Sequence, residues 1–262
     1  MHFFRGSSLG LALACAAIPA HAQRKVDNIG NGGGIVIGAE RLAGVYHTTN
    51  TVTIKEEQNI GGTPVTSESE SKSSTTTVAL FGHDPASPTE IPRLALDYFV
   101  VDGFSMGGSF SFMRNAIEIE SKQTTSVGGS SQSSSNGEGR VTQQAFVFHP
   151  RLGYAVAFNE YVGIWPRAGF SYTHIERREA AFPTEPGVEQ KTTITLTNLT
   201  LEGLLFVSPF SNFAFVGGPF ADIGLGGSAE FESNQGFQLP DGDNRVSAFG
   251  FIVGVAGYFD TR

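Results

Sequence analysis

The chain has 262 residues, of which 33 are Gly and 22 are Phe, while only 16% are charged and the formal net charge is -8. No apolar run reaches the roughly 18 to 20 residues of a membrane-spanning helix, which excludes a helical membrane protein. An acidic balance without a Lys/Arg cluster also argues against nucleic-acid binding. The surplus of Gly and Phe, together with much Ser and Thr, instead favours many short strands.

The first 22 residues have the pattern of an export signal. A positive residue, an apolar stretch and an A-x-A cleavage site follow one another: Arg5, Leu9 to Ile18, and Ala20-His21-Ala22. We predict a signal peptide at 1–22, a short periplasmic lead at 23–33 and a folded part at 34–262. Because Cys15 falls in the signal, the mature chain is expected to lack disulfides and thiolate metal sites. A lipoprotein anchor through Cys15 is the alternative.

Beyond the lead, strand-like segments alternate with polar connections. The predicted strands are 34–50, 91–101, 104–120, 142–159, 161–177, 191–208, 212–231 and 245–259. Alternation with a period of two residues is clearest from 144 to 158, as expected for a strand with two different faces. Short turns alternate with long polar loops, and the loops are 51–90, 121–141, 178–190 and 232–244.

This alternation of short and long connections is typical of an up-and-down barrel with tight periplasmic turns and long external loops. We therefore predict an all-β fold, an eight-stranded antiparallel up-and-down transmembrane β-barrel, with ten strands as the alternative. The segment 75–82 also has a strand pattern. We place it in the first external loop, as a hairpin that extends strand one, because eight strands put both termini in the periplasm.

Aromatic residues cluster at the short turns and at the C-terminus. They are Tyr98, Phe99, Phe104, Phe158, Tyr161, Phe210, Phe213 and Phe259. Aromatic rings favour a membrane interface, where an apolar body lies beside a wet edge. The set predicts a periplasmic aromatic girdle and localisation in a bacterial outer membrane. Chance clustering in a soluble β-sandwich is the alternative.

These features resemble the small Gram-negative outer-membrane β-barrel family, which includes OmpA-, OmpX- and OmpW-like barrels. The resemblance is carried by the turn segment Tyr98–Gly108, the final strand Ala248–Phe259 and the signal peptide. The family's assembly signal ends in an aromatic residue with a Gly five residues before it, and Phe259 and Gly254 match this pattern. The resemblance implies recognition by the barrel-assembly machinery and contact with outer-membrane lipids, including lipopolysaccharide.

Charged residues recur on the inward face of several predicted strands. A Pro-Arg pair occurs three times, and its parity directs each Pro outward and Arg93, Arg151 and Arg167 inward, roughly 20 Å above the periplasmic end. We predict a lumen charge layer that fills the narrow interior by ion pairing, composed of Glu40, Arg93, Asp97, Arg151, Arg167, Glu202 and Asp222. A ligand or ion path is the alternative. Because a closed barrel has no edge at which the missing donor of a proline is harmless, a bulge beside the Arg of each Pro-Arg pair, aiming that Arg inward, is a further hypothesis.

The sequence indicates no catalytic or metal site and no cofactor. Gly103–Gly107 fits G-x-S-x-G but opens a strand, whereas a nucleophile elbow needs a strand, a turn and a helix. His174 and Ser171 are close in sequence but have opposite parity. We predict a non-catalytic structural or surface-interaction role with a salt-bridged closed lumen, in which the polar loops meet an extracellular partner. A narrow passive pore, a small-ligand carrier and a lipid-modifying hydrolase are the alternatives.

Overall fold

The computed structural model describes residues 29–60, 63–80, 91–127, 130–180, 189–233 and 242–261. The predicted signal peptide and the start of the predicted lead 23–33 lie outside the described residues. Within the described ranges, no helix is long and apolar enough to cross a membrane.

The regular elements of the described part are β-strands. They are β1 (Gly34–Ile60), β2 (Thr63–Leu80), β3 (Arg93–Phe99), β4 (Phe104–Val127), β5 (Ser130–Tyr154), β6 (Val156–Ala157), β7 (Val162–Ala180), β8 (Glu189–Phe210), β9 (Phe213–Ser233) and β10 (Gly242–Asp260). The predicted all-β, antiparallel up-and-down fold class is therefore confirmed. The described residues form ten strands overall.

Antiparallel pairing joins eight of these strands into a ring. The order is β1–β3–β4–β5–β7–β8–β9–β10, and β10 pairs back with β1. The two-residue strand β6 pairs with β7 outside this path. Residues 35–40 of β1 pair with β3 and residues 43–60 pair with β2, so β2 and β3 lie end to end along one edge of β1. Residues 75–80 thus belong to a hairpin on the first strand, as predicted for 75–82.

Alternate side chains of each strand point into and out of the ring, because successive residues of a strand face opposite ways. In β3, buried and exposed residues alternate without exception. The outward residues include many large apolar side chains, among them Leu96, Phe110 and Phe148, which are 57%, 52% and 49% exposed. The ring is therefore apolar on its outer surface and carries charged groups inside.

The strands run further than their apolar pattern indicates. The predicted loops 51–90 and 121–141 are largely strand, because β1 and β2 pair as far as Ile60↔Thr63 and β4 and β5 as far as Val127↔Ser130. Backbone hydrogen bonds need no apolar side chain, so Ser/Thr-rich segments continue a hairpin that their neighbours have begun. Parts of the other two predicted loops, residues 181–188 and 234–241, lie outside the described residues.

The strand register passes the prolines without a shift. The β5–β7 register is the same on both sides of Pro150, and the β7–β8 register is continuous through Pro166. Pro92 precedes β3, which begins at Arg93. The hypothesis of a bulge beside each Pro-Arg pair is therefore wrong at Pro150 and Pro166. The β5–β7 ladder instead lacks pairs at these two residues, since a proline leaves one ladder hydrogen bond unmade.

The residues before β1 fold against the turn between β3 and β4. The N–H of Gly103 donates to the carbonyl of Gly30 at 2.7 Å. The carboxylate of Asp102 accepts the N–H of Gly32, also at 2.7 Å. Gly103 has a φ of 81°, a conformation that side chains with a Cβ rarely adopt. These bonds hold Ile29 in a buried position against the apolar interior.

Candidate functional site: a charged layer inside the ring

Among the described residues, eight guanidinium and carboxylate side chains lie inside the ring, and each residue is at most 5% exposed. These four arginines and four carboxylates, here named the charged layer, are Glu40, Arg41, Arg93, Asp97, Arg151, Arg167, Glu202 and Asp222. The structure places all seven residues of the predicted lumen set inside the ring and adds Arg41. Strand pairing sets them at a common height, with Glu40 opposite Arg93 and Arg167 opposite Glu202.

Arg151 joins two carboxylates from neighbouring strands. Its Nη1 lies 2.6 Å from Oε2 of Glu40, and its Nη2 lies 2.8 Å from Oε1 of the same residue. Its Nε donates to Oδ1 of Asp97 at 3.0 Å, and its Nη2 also contacts Oδ2 of Asp97. The planar guanidinium suits this arrangement, because its fork of donors engages two carboxylates at once.

Arg167 continues the network from Glu40 to Glu202. Its Nη1 donates to Oε1 of Glu40 at 2.6 Å. Its Nη2 lies 2.6 Å from Oε2 of Glu202, a close ion pair outside the angular range of a hydrogen bond. The guanidinium also stacks on the ring of Trp165, with Cζ 4.8 Å from the ring centroid. Cation–π contact thus stabilises a charge that the interior would otherwise leave poorly solvated.

Arg41 enters the interior through a β-bulge. The β1–β10 register shifts between Ala39 and Ala43, and Arg41 has a φ of 55°. Three residues of β1, 40–42, lie between the paired Ala39 and Ala43 where β10 has one, so β1 carries two extra residues there and departs from simple alternation. Glu40 and Arg41 are therefore both buried inside the ring although they are consecutive. Gly254 on β10 permits this path, because a Cβ there would lie 2.5 Å from the carbonyl oxygen of Ala39 and 3.0 Å from Cα of Glu40.

The bulged arginine forms a two-point ion pair with Asp222. Its Nη1 and Nη2 donate to the two carboxylate oxygens at 2.8 and 3.1 Å. Nη2 also lies 3.8 Å from Glu202, and Cζ lies 4.6 Å from the ring centroid of Phe220. Thr200 donates to the same Asp222 at 2.8 Å. Alternating charges therefore form one connected chain, in the order Asp97, Arg151, Glu40, Arg167, Glu202, Arg41 and Asp222.

Arg93 lies beside this chain and not within it. Among the described residues no carboxylate lies within 4.0 Å of its guanidinium. Its Nη1 is 3.5 Å from Nδ1 of His149, and the hydroxyl of Ser109 lies 3.5 Å from the same nitrogen. Arginine only donates, so this contact fits a neutral imidazole whose Nδ1 is the acceptor. A Cβ at Gly169 would lie 2.8 Å from Nε2 of His149, so the glycine makes room for the imidazole.

Apolar groups close the interior on both sides of the charged layer. Towards the short turns, Phe99 and Trp165 pack with ring centroids 5.6 Å apart, and Trp165 Nε1 donates to the hydroxyl of Ser105 at 3.1 Å. Towards the long hairpins, Val147 and Ile175 belong to a second buried cluster. The charges therefore lie between two layers from which bulk water is excluded.

The residues of the predicted girdle divide between the two faces of the ring. Tyr98, Phe158, Phe210 and Phe259 are exposed on the outer surface, and Phe104, Tyr161 and Phe213 are partly exposed. Phe99 is only 1% exposed and packs against Trp165 in the interior, so its assignment to the girdle was wrong. The physical reason is parity, since Phe99 shares its strand face with Arg93 and Asp97.

The structure assembles no recognisable catalytic group from the residues considered in the sequence. Ser171 is buried inside the ring, whereas His174 has the opposite parity and is partly exposed. Ser109 and His149 do approach each other, but both are at most 2% exposed and closed off by the layers around them. In the described part of the chain, no group of three or more His, Cys, Asp and Glu residues is arranged to hold a metal ion.

Comparison with known proteins finds outer-membrane β-barrel proteins of similar structure. No protein-family model matches the sequence, and no curated protein matches it. The outer membrane protease OmpT from Escherichia coli has 9% identity and a TM-score of 0.43, covering 86% of this chain and 97% of its own. OprG from Pseudomonas aeruginosa has 10% identity and a TM-score of 0.46, covering 88% and 98%. Ail, the attachment invasion locus protein of Yersinia pestis, has 13% identity and a TM-score of 0.34, covering 87% and 99%. At these values the likeness assigns neither a family nor an activity.

Proposed function

We propose that this chain is a non-catalytic β-barrel protein of the bacterial outer membrane whose lumen is closed by the charged layer. The supporting observation is the distribution of polarity, with large apolar side chains exposed outside and paired charges buried inside. In hydrocarbon every backbone polar group must find an internal partner, a condition that a ring closed between β10 and β1 satisfies. In a water-soluble protein the same outer surface would be a large exposed apolar patch.

The outward aromatic residues support this placement in a membrane. Tyr98, Phe158, Phe210 and Phe259 lie at the short turns and at the C-terminal strand end. Aromatic rings at one level are expected where the wall of a barrel meets the headgroup region. This end of the ring is then the periplasmic end, and the C-terminal strand with Phe259 is the segment offered to the barrel-assembly machinery.

The filled interior supports an anchoring and surface role over a narrow pore or a ligand carrier. A ring of eight strands has an interior about wide enough for side chains to fill. Here one connected chain of ion pairs lies between Phe99 and Trp165 on the side of the short turns and Val147 and Ile175 on the side of the long hairpins. Ser171 and His174 on opposite faces give no support to a lipid-modifying hydrolase.

The long hairpins supply the surface through which such a protein acts. Residues 67–76 of β2 are all exposed, and their side chains are Ser, Thr, Glu and Lys. Paired backbones keep this polar surface extended beyond the apolar wall. We propose that these hairpins face outward from the cell and meet an extracellular partner.

Expression and fractionation test the proposal. When the gene for the full-length chain is expressed, the processed protein should begin at Gln23 and be found in the outer-membrane fraction. It should migrate faster on gels before boiling than after it. Recovery in the soluble periplasmic fraction, or one mobility before and after boiling, contradicts a membrane barrel. A chain that starts at Met1 contradicts the predicted signal peptide alone.

A further inference from the structure

The strand β2 has an unpaired edge in the described part of the chain. Its other edge pairs with β1 from Thr63 to Leu80. On the unpaired side, β4 pairs with β3 only as far as Phe110, and no described strand pairs with β2 there. Residues 67–76 are all exposed, which leaves this edge accessible. A row of unpaired backbone N–H and C=O groups is a template for pairing with a further strand.

The charges along this edge are complementary to a second copy of the same strand. Glu70 and Lys72 are two residues apart, so they lie on the same face of β2. When two copies of β2 run antiparallel with Ser71 opposite Ser71, Glu70 of each copy lies opposite Lys72 of the other. Oppositely charged residues in such positions stabilise a strand pair. The remaining opposed pairs between 67 and 75 are Ser67 with Thr75, Glu68 with Ser74, and Ser69 with Ser73.

Charge selects this register from its neighbours. Strands that are polar on both faces specify their register weakly, and residues 67–76 of β2 are polar throughout. A pairing centred on Ser69 would set Glu68 opposite Glu70, and one centred on Lys72 would set two lysines opposite each other. Like charges in such positions destabilise a strand pair. The register centred on Ser71 forms two ion pairs and opposes no like charges.

Antiparallel pairing sets two rings of strands head to head. The two-fold axis of an antiparallel strand pair is perpendicular to the sheet, so it reverses every direction within the sheet. The apolar walls of the two copies then lie at opposite ends of the joined hairpins. Two copies in one membrane point the same way and cannot pair in this manner. The arrangement therefore requires copies that are carried by two facing membranes.

We infer that the free edge of β2 pairs with β2 of a second copy in a facing membrane, so that the extracellular partner of the hairpins is this protein itself. The inference rests on the proposed placement in the outer membrane. Nine residues of one strand span roughly 30 Å, which is a small interface, so a single pair of chains associates weakly. Many such pairs between two membranes act together and hold the surfaces in contact.

Charge reversal tests the pairing, because it predicts which variants recognise each other. Glu70→Lys sets like positive charges opposite each other in both ion pairs, and Lys72→Glu does the same with negative charges. Each variant alone should associate about tenfold or more weakly than the parent chain. An equimolar mixture of the two variants should associate like the parent, because opposite charges then meet in both pairs. Analytical ultracentrifugation of the processed, detergent-purified protein measures the association.

Arg178→Glu is the matched control, since it changes the net charge by the same amount as Lys72→Glu. Arg178 is exposed on β7, a strand with described partners on both edges. The control should associate within about twofold of the parent chain. A parent chain that stays monomeric, single variants that associate like the parent, a mixture that is no better than its components, or an equal loss in the control each overturns the inference.

Vesicles of phosphatidylcholine that carry the protein test the head-to-head arrangement. Vesicles with the parent chain should cluster. Vesicles with Glu70→Lys and vesicles with Lys72→Glu, labelled with two dyes, should cluster only with the other colour. Association in detergent without clustering of vesicles, when a protease added outside cleaves the hairpins, overturns pairing between facing membranes. A chain that does not enter the vesicles as a heat-modifiable barrel overturns the proposed function instead, whatever its self-association.

Discussion

At the residue scale, the charged layer gains its stability from connection, because each ion pair shares a partner with the next. Arg151 binds Glu40 and Asp97, and Glu40 also binds Arg167. Removing one arginine from such a chain leaves buried carboxylates without a counter-charge, which costs more than the pair itself contributes. The cost of a substitution therefore depends on how many carboxylates the missing arginine held.

Arg151→Ala should be strongly destabilising. It leaves Glu40 with one arginine and Asp97 with only the 4.0 Å contact to Arg167, and the expected loss is about 3–5 kcal/mol. The folded band of unboiled samples should disappear at a clearly lower temperature. Arg177→Ala is the control, since Arg177 pairs with Glu179 while about half exposed, and its loss is expected to cost about 0–1 kcal/mol. Equal melting temperatures for the two variants contradict a stabilising role for the ion pairs of the charged layer.

Arg93→Met should cost less than Arg151→Met, although both arginines are buried. Arg93 touches His149 at 3.5 Å. Its removal leaves none of the carboxylates of the charged layer without a direct arginine partner. Methionine fills a similar volume in both places, so the comparison isolates the charge. Thermal unfolding of the two variants measures the difference. A larger loss of stability in Arg93→Met contradicts this expectation. It would mean that the longer-range attraction of Arg93 to the carboxylates contributes more than the direct ion pairs of Arg151.

At the element scale, the segment before β1 covers the end of the ring that carries the short turns. Asp102 accepts the N–H of Gly32, and Ile29 is buried beside it. In an Ile29→Cys chain the thiol should therefore react slowly with a maleimide. Adding Asp102→Ala removes a hydrogen bond of about 1 kcal/mol and should raise that rate severalfold.

Ser71→Cys provides the control, because Ser71 is exposed on β2 far from this turn. Its labelling rate should be high and the same with or without Asp102→Ala. Fast labelling of Ile29→Cys in the parent background means that the segment does not close the ring.

At the scale of the whole molecule, the closed interior predicts the absence of ion conduction. The charged layer and the apolar side chains on both sides of it fill the interior. Ions entering this path would have to displace paired charges in a medium of low dielectric constant, which is costly. The purified chain in planar bilayers should show no stepwise conductance under conditions in which a known porin does. Reproducible steps would establish the narrow-pore alternative.

Much of this arrangement follows from the sequence, because strand alternation is a local rule. Arg93, Arg151 and Arg167 have the parity that directs them inward, and the structure places them there. The same rule sets Phe99 on the face of Arg93 and Asp97, so nearness to a turn was the wrong criterion for its position. The polar segments in which β1, β2, β4 and β5 continue were predicted as loops, because backbone pairing requires no pattern of apolar residues.

Arg41 shows what only the tertiary structure decides. By simple alternation it points away from Glu40, yet the bulge between Ala39 and Ala43 turns it inward to Asp222. That bulge arises where β10 closes the ring on β1, and it needs the bare backbone of Gly254 on the facing strand. The sequence by itself determined which residues alternate inward and which end carries the short turns, since both depend on neighbours along the chain. Ring closure decided the partner of each charge, because those partners lie on strands far apart in sequence.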